Sequence, residues 1–589
     1  MTAEEIDLKT IVNPIRRIVL AACGCAALIA TARAGQQAPS NDIDTGIPIP
    51  ATQQSMEALS ALGQLWVFLK YHHPAVAAGK YDWDAELIRE LPAVLAAKDR
   101  TAWTQELERW VDRLPAVEIP VVPAPDISGS SIKLQPDYGD LFVQGYLPDS
   151  LAAKLRHILE STNITSNHYI ADRPTGSPLI TNEDSYAKSE YPGVGLRLLA
   201  LYRYWGLIQY FFPYRHLIGE GWTEVLSESI PSFLDARDAA EYTLACLRLM
   251  ARTNDGHAGI RKSNKAMKAY WGKYHPAFNV KFIEGKMVVN RFYAKAGGLQ
   301  SQVSRGDVVT HIDGEPVAER LNRMLPLVPA SNRARQLRDA ARMILRGPSD
   351  KVRVALLHGG RPLELALPRY EDLDMSADDL PDFDERLAAS GYQVLADDIG
   401  YVYAGKFENP QLPGLQKAFA KTKGMVIDLR CYPADDIAFT LGGYLKKALS
   451  PFLLITRSGV RHPGLFTFTD PVQNGGTPGP HYEGKVVVLV NEETKSAGEA
   501  AAMAFQSAPD VTVLGSATAG ADGNIAVFYL PGGIYTAFSA LGAYYPDRTE
   551  TQREGVRVDV AMFPTLKGFR EGKDELLQKA VELILRGGR

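Results

Sequence analysis

Five large or rigid residues recur at one fixed interval in the N-terminal part of the chain. Trp66, Tyr71, Pro74, Trp83 and Pro92 return as Trp205, Tyr210, Pro213, Trp222 and Pro231, each pair 139 residues apart. The two segments read LGQLWVFLKYHHP…YDWDAELIRELP and LYRYWGLIQYFFP…EGWTEVLSESIP. A repeat of this kind denotes a duplicated unit that buries its apolar face against a neighbour. Both copies show helical spacing, so the aromatics are expected to pack helix against helix, with prolines closing each helix. The copies cover residues 55–115 and 195–262, and only the second ends in Asp255-Gly256-His257. Residues 116–190 between them, rich in Pro, Ser, Asp and Asn, read as a linker or loosely ordered insertion.

The leader points to export. Arg16-Arg17 precede an apolar run at 18–30, and Ala32-Arg33-Ala34 follows it. Positive flank, short apolar core and small-residue site make residues 1–34 read as a signal peptide. The run is shorter than the roughly 20 apolar residues a membrane span needs. The expected location is periplasmic or extracellular, and Leu20-Ala21-Ala22-Cys23 leaves a lipid-anchored form open. Cys246 and Cys431 would remain in the mature chain, and their pairing is left open. Two cysteines make neither a disulfide framework nor a metal site. No HExxH, P-loop or paired CxxC occurs, so no metal or cofactor is expected. The net charge of −4, with no dense Lys/Arg run, argues against nucleic acid as a partner.

Residues 277–369 change to short alternating strands punctuated by glycines. Gly298-Leu299, Gly306-Asp307 and Asp313-Gly314 give this segment a resemblance to a PDZ domain, a module that binds an extended peptide as an added strand. From 385 to 585 strands and helices alternate: GYVYAGKF, MVIDLR, a helix near 438–449, KVVVLVN, a helix after Ser496, then VTVLG. This rhythm implies a βα core with a largely parallel sheet, whose ligands gather at the carboxyl ends of the strands. The fold expected for the whole is multidomain α/β.

Ser496-Ala497-Gly498-Glu499 follows the strand KVVVLV and has two readings. As a capping box it only closes a helix start. As a nucleophile it sits where free helix amides and the helix dipole favour an oxyanion. A serine used that way needs a base.

With Thr494 ahead of it, the motif resembles the nucleophile motif of the tail-specific, or C-terminal processing, serine protease family. Asp428-Leu429-Arg430, Gly515-x-x-Thr518-x-Gly520, Tyr545-Pro546-Asp547, Thr551-Gln552-Arg553-x-Gly555-Val556 and Asp255-Gly256-His257 match further motifs in order. One branch of the family uses a lysine just after the Thr-x-Gly turn, where this chain has Ala521. The resemblance is therefore to the tricorn-like and retinoid-binding-protein-like branch, which pairs the serine with the histidine of Asp-Gly-His. It implies a ClpP/crotonase-like core and an endopeptidase acting on unfolded or C-terminally presented polypeptides. It also implies Ser496 as nucleophile, His257 as general base, and backbone donors at Ala497 and near Cys431. Gln552 stands where the branch has a glutamate, with Glu550 and Glu554 two places to either side, and the loop at Cys431 lacks the usual glycine. Lys495, His462 and His481 remain rival bases. These departures keep open a catalytically degenerate peptide-binding scaffold, and fold analogy alone suggests an apolar-ligand carrier.

Overall fold

A computed structural model describes residues 52–587, apart from 119–130, 161–163, 165, 263, 372, 374, 376–386 and 388. The signal-peptide reading of residues 1–34 lies outside the described residues.

Each aromatic repeat folds as three main helices. The first copy contains α1 (Gln53–His72), α2 (Trp83–Leu95) and α3 (Arg100–Asp112). The second contains α4 (Val194–Phe211), α5 (Trp222–Leu234) and α6 (Ala239–Arg252). Asp99 and Asp238 cap α3 and α6 through the N–H groups of Ala102 and Glu241. The repeated tryptophans exchange hydrogen bonds. Trp66 Nε1 donates to the Trp83 carbonyl at 2.8 Å and Trp83 Nε1 to the Trp66 carbonyl at 3.0 Å. The second copy repeats this between Trp205 and Trp222 at 2.7 and 3.0 Å. A buried indole N–H must find an acceptor, and the second lone pair of a helical carbonyl supplies one.

Pro74 and Pro213 do follow α1 and α4, but Pro92 and Pro231 lie inside the last turns of α2 and α5. Proline gives up its own bond to the preceding turn there. Its carbonyl still receives the N–H of Ala96 or Asp235, so each helix ends a turn later than expected.

The segment between the copies is ordered where it is described. Tyr138 and Phe142 pack edge-on against Phe68, and the helix Asp149–Glu160 buries Leu151, Leu155 and Ile158. Glu183 forms buried ion pairs with Lys70 (2.7 Å) and Arg203 (2.8 Å), while Arg203 also reaches Asp84 at 2.7 Å. The polar composition that reads as a loop thus supplies counter-charges to the interior. Losing one partner of such a group is far costlier than never having built it.

Residues 275–370 carry a seven-stranded antiparallel sheet whose outer strand is β1 (Phe278–Ile283), with helix α7 (Arg333–Ala341) packed beside it. The following sheet has the order β2 (Tyr392–Leu395), β3 (Ile399–Tyr403), β4 (Gly424–Asp428), β5 (Lys485–Val490), β6 (Val511–Gly515), β7 (Val560–Ala561). Strands β3 to β7 run parallel and β2 antiparallel. Parallel pairing is confined to this sheet; the other four among the described residues are antiparallel. The molecule is therefore a mixed helix-and-sheet assembly. Short connections can join only antiparallel strands, whereas parallel pairing needs long crossovers and strands such as KVVVLV that are buried on both faces.

A hairpin of Ile525–Leu530 and Ile534–Ser539 inserts Phe528, Ile534 and Phe538 into the helical core. Tyr242 on α6 donates to the Pro531 carbonyl at its tip at 2.7 Å. This clasp brings the end of α6, and with it Asp255-Gly256-His257, onto the sheet domain.

Candidate active site

Strand β5 ends at Val490, and residues 491–495 lead into helix α8 (Ala497–Gln506). Thr494 Oγ1 ties that loop to the end of β4 by donating to the Leu429 carbonyl at 2.7 Å. Ser496 sits at the corner with φ 53° and ψ −117°. A capping residue is normally extended, and backbone of this kind costs a residue bearing a Cβ about 1–3 kcal/mol. The corner is held from both sides. The Ser496 N–H points at the Ala521 carbonyl (3.1 Å) and the Glu499 carboxylate (3.1 Å). Glu499 is fully buried and also accepts from Thr518 Oγ1 (2.5 Å), Gly520 N (2.8 Å) and Ala521 N (3.0 Å). Burial pushes its pKa up against those hydrogen bonds.

Helix α6 stops where Asn254 takes a left-handed conformation, φ 51°. Asp255 Oδ1 then accepts the His257 N–H at 3.0 Å, shaping the turn. The same carboxylate accepts from Ser539 Oγ and Ser539 N, both at 2.7 Å, and His257 Nδ1 lies 2.9 Å from Ser539 Oγ. Burial, then the charges of Lys495, Arg261 and Arg335, hold the His257 pKa well below the usual imidazole value. Lys495 Nζ donates to the Gly256 carbonyl at 2.6 Å, and Gly256 N donates to Ser331 Oγ at 2.7 Å. A Cβ on Gly256 would lie 2.9 Å from that of Ala521. The turn carrying His257 and the corner carrying Ser496 therefore share Lys495 and Ala521 as immediate neighbours. Burial lowers the Lys495 pKa to about 8, and its ammonium is spent on the turn.

The other expected residues separate clearly. Gln552 is buried and donates to Ser331 Oγ at 3.3 Å, while its Oε1 has no partner. Glu550 instead binds Lys133 and His216; those bonds outweigh burial and hold its pKa down at about 2. Glu554 is exposed. Cys431 and Cys246 are both free buried thiols. The 430–433 loop borders the start of α8: a Cβ on Gly498 would lie 3.5 Å from Pro433 and 3.7 Å from the Cys431 carbonyl. Asp428 and Arg430 are spent on a buried ion group with Asp574. His462 interacts with His72 of the first helical copy, and His481 precedes β5 at the end opposite Ser496. Sequence reasoning did not single out Asp255, Ser331 and Ser539, whose side chains bond the His257 turn or its ring. Asp255 sat inside the quoted tripeptide, but nothing in IYTAFS marks Ser539.

Asp522 is buried, with one carboxylate oxygen accepting Gly523 N at 2.6 Å and the other without a partner. Burial, then the nearby Glu499, push its pKa to about 8. The unfolded value is about 3.9, so between those values the native state binds the extra proton and stability falls as pH rises. Asp522→Asn is expected to match the parent near pH 4 and to melt above it at pH 8, as thermal unfolding at both pH values would show.

A cavity of about 500 Å³ lies between β1 and α7, lined by Val280, Phe282, Leu337 and Ala341 and, across from them, by Glu493 and Phe563. Helix α7 is fastened to the loop before Ser496, Arg335 to the Glu492 carbonyl (3.2 Å) and Arg338 to Glu493 (2.6 Å). Among the described residues no group of three or more His, Cys, Asp or Glu could hold a metal, and no helix is long and apolar enough to cross a membrane.

Residues 398–562 match the model of Peptidase family S41. Among solved structures, mature CPAF superposes with a TM-score of 0.53 at 14% identity, covering 67% of this chain and 99% of that one. Mature CPAF complexed with lactacystin does so at 0.52 and 13%, covering 67% and 98%. At such identity the likeness is one of fold. A comparison with curated proteins finds no match. Over residues 398–562 the chain is therefore similar to the peptidases of family S41.

Proposed function

We propose that the chain is an exported serine endopeptidase in which Ser496 Oγ attacks the peptide carbonyl and His257 takes its proton. The observation that carries this reading is the backbone of Ser496. A cap alone needs no φ of 53° and ψ of −117°, whereas a nucleophile held at a strained strand-to-helix corner is exposed beside helix amides suited to an oxyanion. The amides of Gly498, Glu499 and Ala500 close onto the Lys495 and Ser496 carbonyls. We assign the Ala497 amide to the developing oxyanion, with a second donor from the loop at Cys431. Acyl transfer to Ser496 and hydrolysis by water then follow. The β module, PDZ-like in its motifs, offers β1 as the edge on which an extended substrate segment adds as a strand, beside the apolar groove against α7. Export rests on the leader at 1–34.

Labelling by a fluorophosphonate probe, located by peptide mass spectrometry, tests the assignment. Modification at Ser496 is the expected result. Binding of denatured casein with neither labelling nor cleavage would favour the degenerate scaffold, which the neutral Gln552 at the glutamate position supports.

A further inference from the structure

We infer that Asp255, acting through the hydroxyl of Ser539, orients His257 and balances its charge, the task that falls to a glutamate at position 552 in the family the chain resembles. The inference rests on the Ser496–His257 pairing proposed above. Three buried groups form a continuous line: His257 Nδ1 to Ser539 Oγ at 2.9 Å, and Ser539 Oγ to Asp255 Oδ1 at 2.7 Å. The second carboxylate oxygen accepts the Ser539 N–H at 2.7 Å, so the hydroxyl cannot drift from its place. A hydroxyl has one proton to give. An ionised carboxylate can only accept, so that proton points at Asp255 and the Ser539 oxygen must accept from His257 Nδ1–H. The tautomer follows: Nε2 carries the free lone pair and is the nitrogen able to act as base.

Proton transfer then balances without any charge leaving Asp255. Nε2 takes the Ser496 Oγ proton as Oγ bonds the acyl carbon. It passes that proton to the leaving amine as the C–N bond breaks; in deacylation Nε2 takes a proton from water as the water oxygen bonds the acyl carbon, and returns it to Oγ as the C–Oγ bond breaks and the carboxylic acid leaves. The imidazolium formed in between faces Lys495, Arg261 and Arg335, all cationic. Gln552 is neutral and reaches Ser331 rather than the ring. Asp255 is the carboxylate joined to the ring through a single hydroxyl. Asp255 and Ser539 are positioning residues, since neither touches the reacting atoms.

Losing the acid behind a catalytic histidine costs up to about 10⁴-fold in kcat; with a hydroxyl between, Asp255→Asn is expected to cost about 10²–10³-fold and Ser539→Ala about 10–10²-fold. Both should fall in kcat with KM little changed. Both should move the acid limb of the kcat/KM profile to lower pH, Asp255→Asn because the imidazolium loses its counter-charge and Ser539→Ala because it loses the acceptor that joins it to that charge, while the three cations stay. Ser539→Ala also covers the case in which Asp255→Asn fails to fold. If Ser539→Ala keeps kcat within twofold of the parent, or loses activity with its acid limb unmoved, the relay is overturned while the serine–histidine pairing stands. Unchanged hydrolysis in Ser496→Ala or His257→Ala would instead sink the pairing itself, and the relay with it.

Discussion

Ser496→Ala is expected to lower kcat/KM by about 10⁴-fold or more, His257→Ala to do nearly as much, and the double variant to be no worse than either. Groups that act as one unit in a single transition state lose most of their effect when the first is removed. What remains is binding and the helix-start amides. Stability separates this from a capping role. Ser496→Gly should be as inactive as the alanine variant yet at least as stable as the parent, because glycine adopts φ 53° and ψ −117° without the strain a Cβ brings. A serine that merely capped α8 would instead lose stability on replacement. Steady-state cleavage of denatured casein and urea unfolding of the same variants give both answers. The parent should also stay active below the ordinary imidazole pKa of about 6.5, since burial and three neighbouring cations keep His257 neutral there.

Sequence carried the helical repeat because indoles and prolines at a fixed offset are rare enough to stand out. What it could not carry was the exchange of hydrogen bonds that makes the tryptophans obligatory, since a carbonyl acceptor leaves no trace in residue identity. The Ser496 corner was legible as a motif, and His257 as part of a tripeptide. The groups that hold His257 in place come from far along the chain: Ser539 lies 284 residues from Asp255, in a strand whose alternation marks only burial. Glu550, Gln552 and Glu554 were equivalent in sequence, and only the fold distinguishes them. One faces Lys133 and His216, one is buried under the His257 turn, and one is in solvent. The insertion was misread for a similar reason, because Glu183 looks like any loop acid until Lys70 and Arg203 are brought to it.

Glu499 should be the most sensitive buried position of the corner. Read locally it is the return arm of a capping box, worth about 1 kcal/mol. In the fold it collects four donors, from Ser496 N, Thr518 Oγ1, Gly520 N and Ala521 N. All four face a fully buried carboxylate with no cation beside it. Each buried donor left unsatisfied costs about 1–3 kcal/mol. With some relaxation, Glu499→Ala should lose about 4 kcal/mol, a large share of the 5–15 kcal/mol typical of a domain. Glu499→Gln keeps one acceptor oxygen but turns an amide N–H₂ toward existing donors, and about 2 kcal/mol is expected. Activity should fall with stability in both, because the 520–521 turn that accepts the Ser496 N–H is held by the same carboxylate. Urea unfolding paired with fluorophosphonate labelling under native conditions measures the two effects together. A Glu499→Ala protein within 1 kcal/mol of the parent and labelled at the parent rate would mean that the corner keeps its shape without this carboxylate, and that the strain at Ser496 is sustained by the Ala521 carbonyl alone.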